Sequence, residues 1–561
     1  MHIPDRTLLD WLAEPAAGRG LHYADSGDSW TAHPYRDLAQ LTLRCAAALG
    51  ERGVRRGDVV AVMQRSSPGF VAGLFGALAA GATACSMAPP FAFQRTDEYE
   101  RHISHLLDTA RPALIVVDDD AAEHVRGPAA RLGLRAPVRF EELIDGISPL
   151  TEPRQPAETA LLQFTSGSSG YSRGVRISAQ ALQANVTAMR RWLQWPAEYP
   201  GTSWLPVHHD MGLIGCLVNI VVTECDGYMM QPDDFIRSPL RYLKCISDNS
   251  VRMAAMPNFG LAYILRRVRP GQLDGLRFES LRGVILGAER IDPRVLDGFE
   301  RLLGPHGFDR RALLPAYGGA EATLAVTGLP LAEGWTVATP RQGSDAPAEP
   351  LGVVGCGRPL EGMSVDIVGE DGEPLEDGQV GEITVRGACV ATQYVGDPGS
   401  SSGTRLGDGV LRTGDAGFLR DGQLFVLGRL GDGLKVRGRM LFAESLEAEL
   451  CERGVPERRA TVLLGVRDGA PTAAVVFELP RPEWIGTTLD LLTERLEDAD
   501  LLAVLVPRGG LAVTSSGKPR RRVMWQALCA GTLEGRIAPM ADALREAEAA
   551  ARAELQPAAA R

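Results

Sequence analysis

Apolar positions recur along the chain in two alternating rhythms. From Tyr35 to Gly50 they return every third or fourth residue, the spacing that gives a helix one apolar face, whereas Val59–Met63 and Ala113–Val117 are short unbroken runs. Such runs mark strands buried on both sides. Their alternation with helical pattern through residues 33–150 predicts a largely parallel α/β sheet. The rhythm continues through Leu161–Phe164, Ala254–Met256, Val284–Leu286 and Leu313–Leu314. After about Leu351 it gives way to Gly-rich hairpin material: Val365–Val368, Gly381–Arg386, Gly417–Arg420 and Gln423–Gly428, with Asp421-Gly422 as a tight-turn signal between the last two. From Gly431 a smaller unit follows, with runs Thr461–Val466, Ala473–Phe477 and Leu501–Val506. Residues 539–561, rich in Ala, Glu and Arg, predict a solvated, fraying helix. The pattern as a whole reads as α/β. A large multi-layer N-terminal domain of mixed and parallel sheets (1–430) is joined by a hinge to a smaller α+β C-terminal domain (431–561).

Composition changes this picture in a few places. A chain of 561 residues exceeds what one hydrophobic core serves. Ser66–Gln94 carries no charge and is long enough to span a bilayer, but it is built mainly from Gly, Ala and Ser and contains Pro89-Pro90. A buried helix followed by a buried strand accounts for it better. The net charge of −11 and the lack of a long basic run exclude a nucleic-acid footprint. Nine cysteines, never spaced C-x-x-C, read as reduced thiols with neither a disulfide framework nor a zinc site. With no secretory pattern at the N-terminus, the expectation is a cytoplasmic protein without a membrane partner. Only three lysines occur among 59 basic residues: Lys244, Lys435 and Lys518. In so Arg-rich a chain, a retained lysine hints that a compact ammonium is needed there.

The strongest chemical signal is the loop after Leu161–Phe164: Thr165, Ser166, Gly167, Ser168, Ser169 and Gly170, followed by Tyr171-Ser172-Arg173-Gly174-Val175. Glycines let backbone approach an anion, successive N–H groups form a concave nest, and hydroxyls add donors. A Walker loop would need Gly-Lys-Ser/Thr opening a helix, and a dinucleotide fold G-x-G-x-x-G opening one. This loop instead joins two strands. A plain surface turn is the alternative, and the flanking apolar strands weigh against it.

The loop resembles the phosphate-binding signature of the adenylate-forming superfamily, with Ser169 and Arg173 where that family usually has Thr and Lys. Further blocks follow in the family's order. Trp204-Leu205-Pro206-Val207-His208-His209-Asp210-Met211-Gly212 resembles its W-L-P-x-x-H-D-M-G block; Asp210 is placed to cap a helix starting at Met211, with His209 at its mouth. Leu286-Gly287-Ala288-Glu289 and Tyr317-Gly318-Gly319-Ala320-Glu321 each deliver a carboxylate at the carboxyl end of a strand, where open α/β sheets bind ligands. By resemblance Tyr317 stacks on adenine, with Gly318 beside it, and Glu321 holds Mg²⁺; a turn ending a strand is the alternative for Glu289. Arg412-Thr413-Gly414-Asp415 resembles the block whose Asp accepts both ribose hydroxyls, and Gly428-Arg429-Leu430-Gly431 the hinge block, with Arg429 reaching the ribose. Gly431 replaces the family's Asp or Lys at the pivot. Thr514-Ser515-Ser516-Gly517-Lys518 resembles the block whose lysine bridges carboxylate and α-phosphate.

Ala320-Glu321-Ala322-Thr323-Leu324, Met256-Pro257-Asn258-Phe259 and Gly355-Cys356-Gly357-Arg358-Pro359 resemble the fatty acyl-AMP ligase branch. The resemblance implies ATP and Mg²⁺ as cofactors, a carboxylic acid substrate (a fatty acid), and a holo acyl carrier protein as acceptor, CoA being the rival thiol. Lys518, Glu321 and His209 are then the catalytic candidates. Met211, Ile214, Val218 and Phe259, with His209, are candidates for the acyl site, core packing being an equal explanation for each. Thr323–Pro350 is the candidate for the branch's extra, CoA-excluding segment. An acyl-CoA synthetase and a non-catalytic nucleotide-binding module are the alternatives.

Overall fold

A computed structural model describes residues 3, 5–90, 96–165, 172–341, 352–395, 404–407, 409–436, 439–496, 499–514 and 518–555 of the chain. Among these residues the single α/β rhythm of the sequence is divided between two sheets. The seven-stranded sheet runs, in spatial order, Gln393–Val395, Gly174–Ser178, Thr159–Phe164, Thr83–Ser86, Val59–Met63, Leu114–Val117 and Val138–Arg139. It is parallel except for the hairpin Thr159–Phe164/Gly174–Ser178 and the strand Gln393–Val395 beside it. The nine-stranded sheet has Gly201–Ser203, Met253–Met256, Gly283–Leu286 and Leu313–Gly318 parallel in its centre and antiparallel strands at both edges. Apolar period marks a strand but carries no information about which strand it joins.

The period-2 alternation of strand side chains builds the layers. Val60, Val62, Leu114 and Val116 point into a core shared with helices Tyr35–Glu51 and Pro68–Ala79 and with the facing nine-stranded sheet. Ala61, Met63, Ile115 and Val117 point the other way, onto helix Thr96–Ala110 through Ile103 and Leu107. The uncharged stretch after Ser66 is a buried helix and then a buried strand. Ser67 caps the helix by accepting a hydrogen bond from the Phe70 amide at 3.1 Å, and every residue from Phe70 to Ala79 is buried. Among the described residues no helix is long and apolar enough to cross a membrane. The nine cysteines form no disulfide.

A third sheet carries the hairpin Val410–Arg420/Gln423–Arg429. Arg420 faces Gln423 across a two-residue turn, with Asp421 and Gly422 both left-handed at φ 52° and 74°. That is the turn expected of Asp-Gly, because its twist matches the strands. The segment Thr323–Pro350 does not read as an insertion in its first part: Ala325–Gly328 is an integral strand of the nine-stranded sheet, and Val337–Ala338 pairs with Val353–Val354. Its residues 342–350 lie outside the described ones.

Past Gly431, strands Ala460–Arg467, Ala470–Glu478, Asp500–Val506 and Arg536–Pro539 form a four-stranded sheet. One face is covered by helices Ala443–Glu452 and Pro482–Arg495, the other by Arg521–Cys529. The helix expected to be solvated and fraying is corrected in its first two turns, where Met540–Leu555 is docked; Glu548, Ala549, Ala550 and Arg552 beyond them are exposed. Met540 and Ala543 are fully buried, and Leu544 and Ala547 pack beside them. Their spacing is an i, i+3, i+4, i+7 stripe that small alanines concealed in a charged composition.

Candidate active site

Strand ends gather the candidate residues at one cleft. The hairpin that carries the Ser/Gly loop is closed at its neck, where the Thr165 amide donates to the Arg173 carbonyl at 2.9 Å and the Arg173 amide to Thr165 Oγ1 at 3.1 Å. Ser166, Gly167, Ser168, Ser169 and Gly170 lie outside the described residues. Across from the neck, Glu321 sits on the tight turn Ala320–Ala322 that follows strand Leu313–Gly318. The chain doubles back so closely that a Cβ on Gly318 would lie 1.7 Å from the Leu324 carbonyl oxygen, which requires glycine. Buried Thr323 completes the turn at φ 67°, held by its hydroxyl on the Cys389 carbonyl at 2.7 Å.

A second cluster faces the first. Asp415 and Arg429 are directly paired across the third sheet, with Arg429 Nε 2.8 Å from Asp415 Oδ1. The Tyr317 hydroxyl donates to Asp415 Oδ2 at 2.7 Å, so both carboxylate oxygens are engaged. Burial raises the Asp415 pKa, while the Arg429 charge and the Tyr317 hydrogen bond oppose the rise. Glu289 is placed differently from a residue facing only a nucleotide. Gly287 and left-handed Ala288 (φ 68°) turn the chain after strand Gly283–Leu286, and the Glu289 carboxylate accepts from the Phe259 amide near the start of helix Asn258–Arg267. It satisfies one of the unpaired N–H groups of a helix terminus.

His209 and Asp210 stand at the mouth of a third element. Asp210 Oδ1 accepts from the Met211 amide at 2.7 Å, as expected of a cap. The helix it opens is not regular: Met211–Val218 is a π-helix, continued as α-helix by Asn219–Thr223. Wide turns of this kind occur often at functional sites. Lys518 arrives from the C-terminal sheet. Its amide donates to Thr514 Oγ1 at 3.1 Å and its carbonyl accepts from the Thr514 amide at 2.8 Å. Three residues on, Arg521 is nearly buried among Glu447 (2.6 Å), Glu444 (3.4 Å) and Asp432 (3.7 Å), which ties the lysine loop to the residue after Gly431. Behind the larger effect of burial in each case, the Lys518 charge acts to lower the pKa of His209, Asp210 and Glu289, so the lysine loop lies on the side of the larger part that carries these three. Gly431 itself is exposed, in the short 3₁₀ turn Leu430–Asp432.

Burial, assisted by Lys518, lowers the pKa of His209 to about 4. The ring is therefore neutral at pH 7. Because the folded pKa lies below the unfolded value near 6.5, its contribution to stability is fully present above about pH 6.5. It is lost as pH falls toward 4, to an extent on the order of 3 kcal/mol. Thermal unfolding midpoints should accordingly drop between pH 6.5 and 4, and His209→Gln should flatten that slope. A slope that the substitution leaves unchanged would contradict the assignment.

The apolar candidates separate. Met211 and Phe259 pack against one core cluster, with Trp204, Phe235 and Met256. Ile214 and Val218 are fully buried in the other, between the two large sheets. Two residues absent from the sequence reading also reach the cleft. The Tyr394 hydroxyl bonds Glu321, and Arg458 of the C-terminal part lies over the Phe259 ring, 4.2 Å from its centroid. Neither sits in a block with a local signature. Both reach the site through pairing and packing.

The chain is similar over most of its length to known proteins. The family described as AMP-binding enzyme matches residues 11–395. A Caulobacter vibrioides protein named as an acyl-CoA synthetase is 30% identical over 93% of this chain and 95% of its own. The long-chain-fatty-acid–AMP ligase FadD26 of Mycobacterium tuberculosis is 31% identical over 83% of this chain and 86% of its own. The medium-chain-fatty-acid–[acyl-carrier-protein] ligase JamA of Moorena producens is 29% identical over 89% and 90%. Among solved structures, one from a study of fatty acyl-adenylate ligases of E. coli and L. pneumophila superposes with a TM-score of 0.83 at 26% identity, covering 94% of this chain and 98% of that one.

Proposed function

The chain belongs to the AMP-binding enzyme family, and from that premise we propose that it activates a fatty acid with ATP and passes the acyl group to a carrier-protein thiol. What supports this reading is the loop of Lys518: its charge biases His209, Asp210 and Glu289 of the larger part, and Arg521, three residues on, is bound to Asp432 beside Gly431. A carboxylate oxygen attacks the α-phosphorus, and the bond from that phosphorus to the oxygen bridging the β-phosphate breaks, releasing pyrophosphate. The barrier is electrostatic, since two anions must meet while charge builds on phosphoryl oxygens. Lys518 supplies a compact positive charge between them. Arg173 holds the far phosphates, Asp415 receives the ribose, and neutral His209 shapes the carboxylate's approach.

Magnesium fits the donor set: Glu321 is one hard carboxylate beside that hairpin, and the ion typically takes one or two carboxylates together with phosphate oxygens and water. When bound it supplies charge neutralisation at the phosphates. In the second half-reaction the carrier's thiol loses its proton, its sulfur bonds to the acyl carbon and AMP departs. Residues 1–430 and 431–561 act as the two lobes of this cycle, hinged at Gly431.

The relatives named as fatty-acid–AMP and acyl-carrier-protein ligases support the carrier as acceptor. The test is to form the adenylate from ATP and a radiolabelled fatty acid, then offer CoA and holo carrier protein in parallel. Label on the carrier alone is expected. Label on CoA would make the chain an acyl-CoA synthetase, the activity for which its Caulobacter relative is named. No fatty-acid-dependent ATP–pyrophosphate exchange would remove adenylation itself.

A further inference from the structure

Glu321 and Arg173 are charged groups beside the neck of the phosphate hairpin, and their own contact is poor. Arg173 Nη2 stands 3.4 Å from Glu321 Oε1, beyond the usual range for an N–H···O bond. The tighter link is a third residue. Tyr394 receives a hydrogen bond from Arg173 Nη2 at 3.0 Å and donates its own to Glu321 Oε1 at 2.9 Å. The phenol thus uses its acceptor and its donor in the only direction a guanidinium and a carboxylate allow. Its ring also lies under the guanidinium, with the Arg173 carbon 3.8 Å from the centroid. Arg173 and Glu321 are each only 14% exposed, so these contacts operate with little competition from water.

The backbone around Tyr394 reinforces the same geometry from both sides. Gln393–Val395 pairs antiparallel with Gly174–Ser178, placing Tyr394 opposite Val175, on the strand that leaves the phosphate loop. Three residues earlier the Ala391 amide donates to the Glu321 carbonyl at 2.8 Å, and the Cys389 carbonyl receives the Thr323 hydroxyl. One short strap therefore fastens the hairpin and the carboxylate turn to each other, and its tyrosine spans their charged side chains.

From this arrangement we infer that Tyr394 is a positioning residue for the metal-bearing carboxylate: by occupying Glu321 Oε1 and carrying the Arg173 guanidinium on its ring, it presents Oε2 to the divalent cation and keeps the arginine from collapsing onto the carboxylate. The inference rests on the reading of Glu321 as the magnesium residue. Tyr394 touches no reacting atom. Its effect is on cation affinity, and it reaches the nucleotide only through the cation and Arg173.

Tyr394→Phe keeps the ring and removes the hydroxyl. Mn²⁺ binding, followed by the loss of its free electron paramagnetic resonance signal in the presence of a non-hydrolysable ATP analogue, should weaken by about tenfold, the expected scale for one hydrogen bond to a charged group. Affinity for the analogue without metal should stay within about twofold, and the KM for fatty acid should not move. Tyr394→Leu removes the ring as well and should weaken metal-free analogue binding too, because Arg173 loses its platform. Unchanged Mn²⁺ affinity in Tyr394→Phe overturns the proposal, as does an equal loss of analogue affinity with and without metal, which would mark a merely structural role. If the unsubstituted protein and its Glu321→Gln variant bind Mn²⁺ equally, the magnesium reading of Glu321 falls first. That failure is distinct from a difference confined to Tyr394.

Discussion

Lys518→Ala is expected to reduce fatty-acid-dependent ATP–pyrophosphate exchange by at least about 10²–10³-fold, the cost typical of removing one preorganised group that stabilises transition-state charge. The fold should survive. The lysine loop is held by its backbone, through both hydrogen bonds between Lys518 and Thr514, and by Arg521 in its carboxylate cluster. None of these uses the ammonium. Transfer to the carrier from chemically prepared acyl-AMP should persist in the variant, because the meeting of a carboxylate with a phosphoryl anion, which the ammonium offsets, belongs to the first half-reaction. Arginine at 518 should not restore the exchange, since a planar guanidinium cannot replace a compact ammonium between a carboxylate and a phosphate. An exchange rate unchanged in Lys518→Ala, or equal losses in both half-reactions, would sink the assignment.

Gly431→Pro is expected to separate the two half-reactions. Leu430–Asp432 is a 3₁₀ turn with Leu430 at its start, and a proline at 431 disfavours helical backbone in the residue before it while fixing its own φ. On one side of the turn, strand Gln423–Arg429 is pinned by the Arg429–Asp415 pair. On the other, Asp432 is bound to Arg521 and through it to the lysine loop. The substitution therefore acts on the backbone that joins them and disfavours the arrangement that brings Lys518 to the cleft. Adenylation should fall by about 10²-fold, the scale of a misplaced catalytic group, while transfer from preformed acyl-AMP falls far less. Equal survival, or equal loss, would show that Gly431 is not the pivot.

Much of the site was legible in the chain because its parts are contiguous. The hairpin around the Ser/Gly loop, the cap Asp210 on Met211, the tight turn at Asp421-Gly422 and the strand-end carboxylate Glu321 each depend on residues within a few positions of one another. Strand-to-turn chemistry of that kind is local, and local chemistry is written consecutively. What could not be read was anything set by distant partners. Glu289 reads as a nucleotide residue, and its hold on the Phe259 amide, 30 positions away, has no local signal. Ile214 and Val218 shared an apolar run with Met211 but lie in a different core. Helix Met540–Leu555 carries half of its docked stripe in two alanines, Ala543 and Ala547, which composition counts as bland.

By itself, then, the sequence determined the elements, the order of the chemical blocks and the residue types that carry charge to the cleft. The tertiary structure alone decided which strands share a sheet and which face of the π-helix meets which core. It also decided that Tyr394, 73 residues from Glu321 and 221 from Arg173, closes their pair. The physical reason is that periodicity and turn preference are properties of neighbouring backbone, whereas strand pairing and the satisfaction of buried polar groups are settled among residues that meet only after the chain has folded.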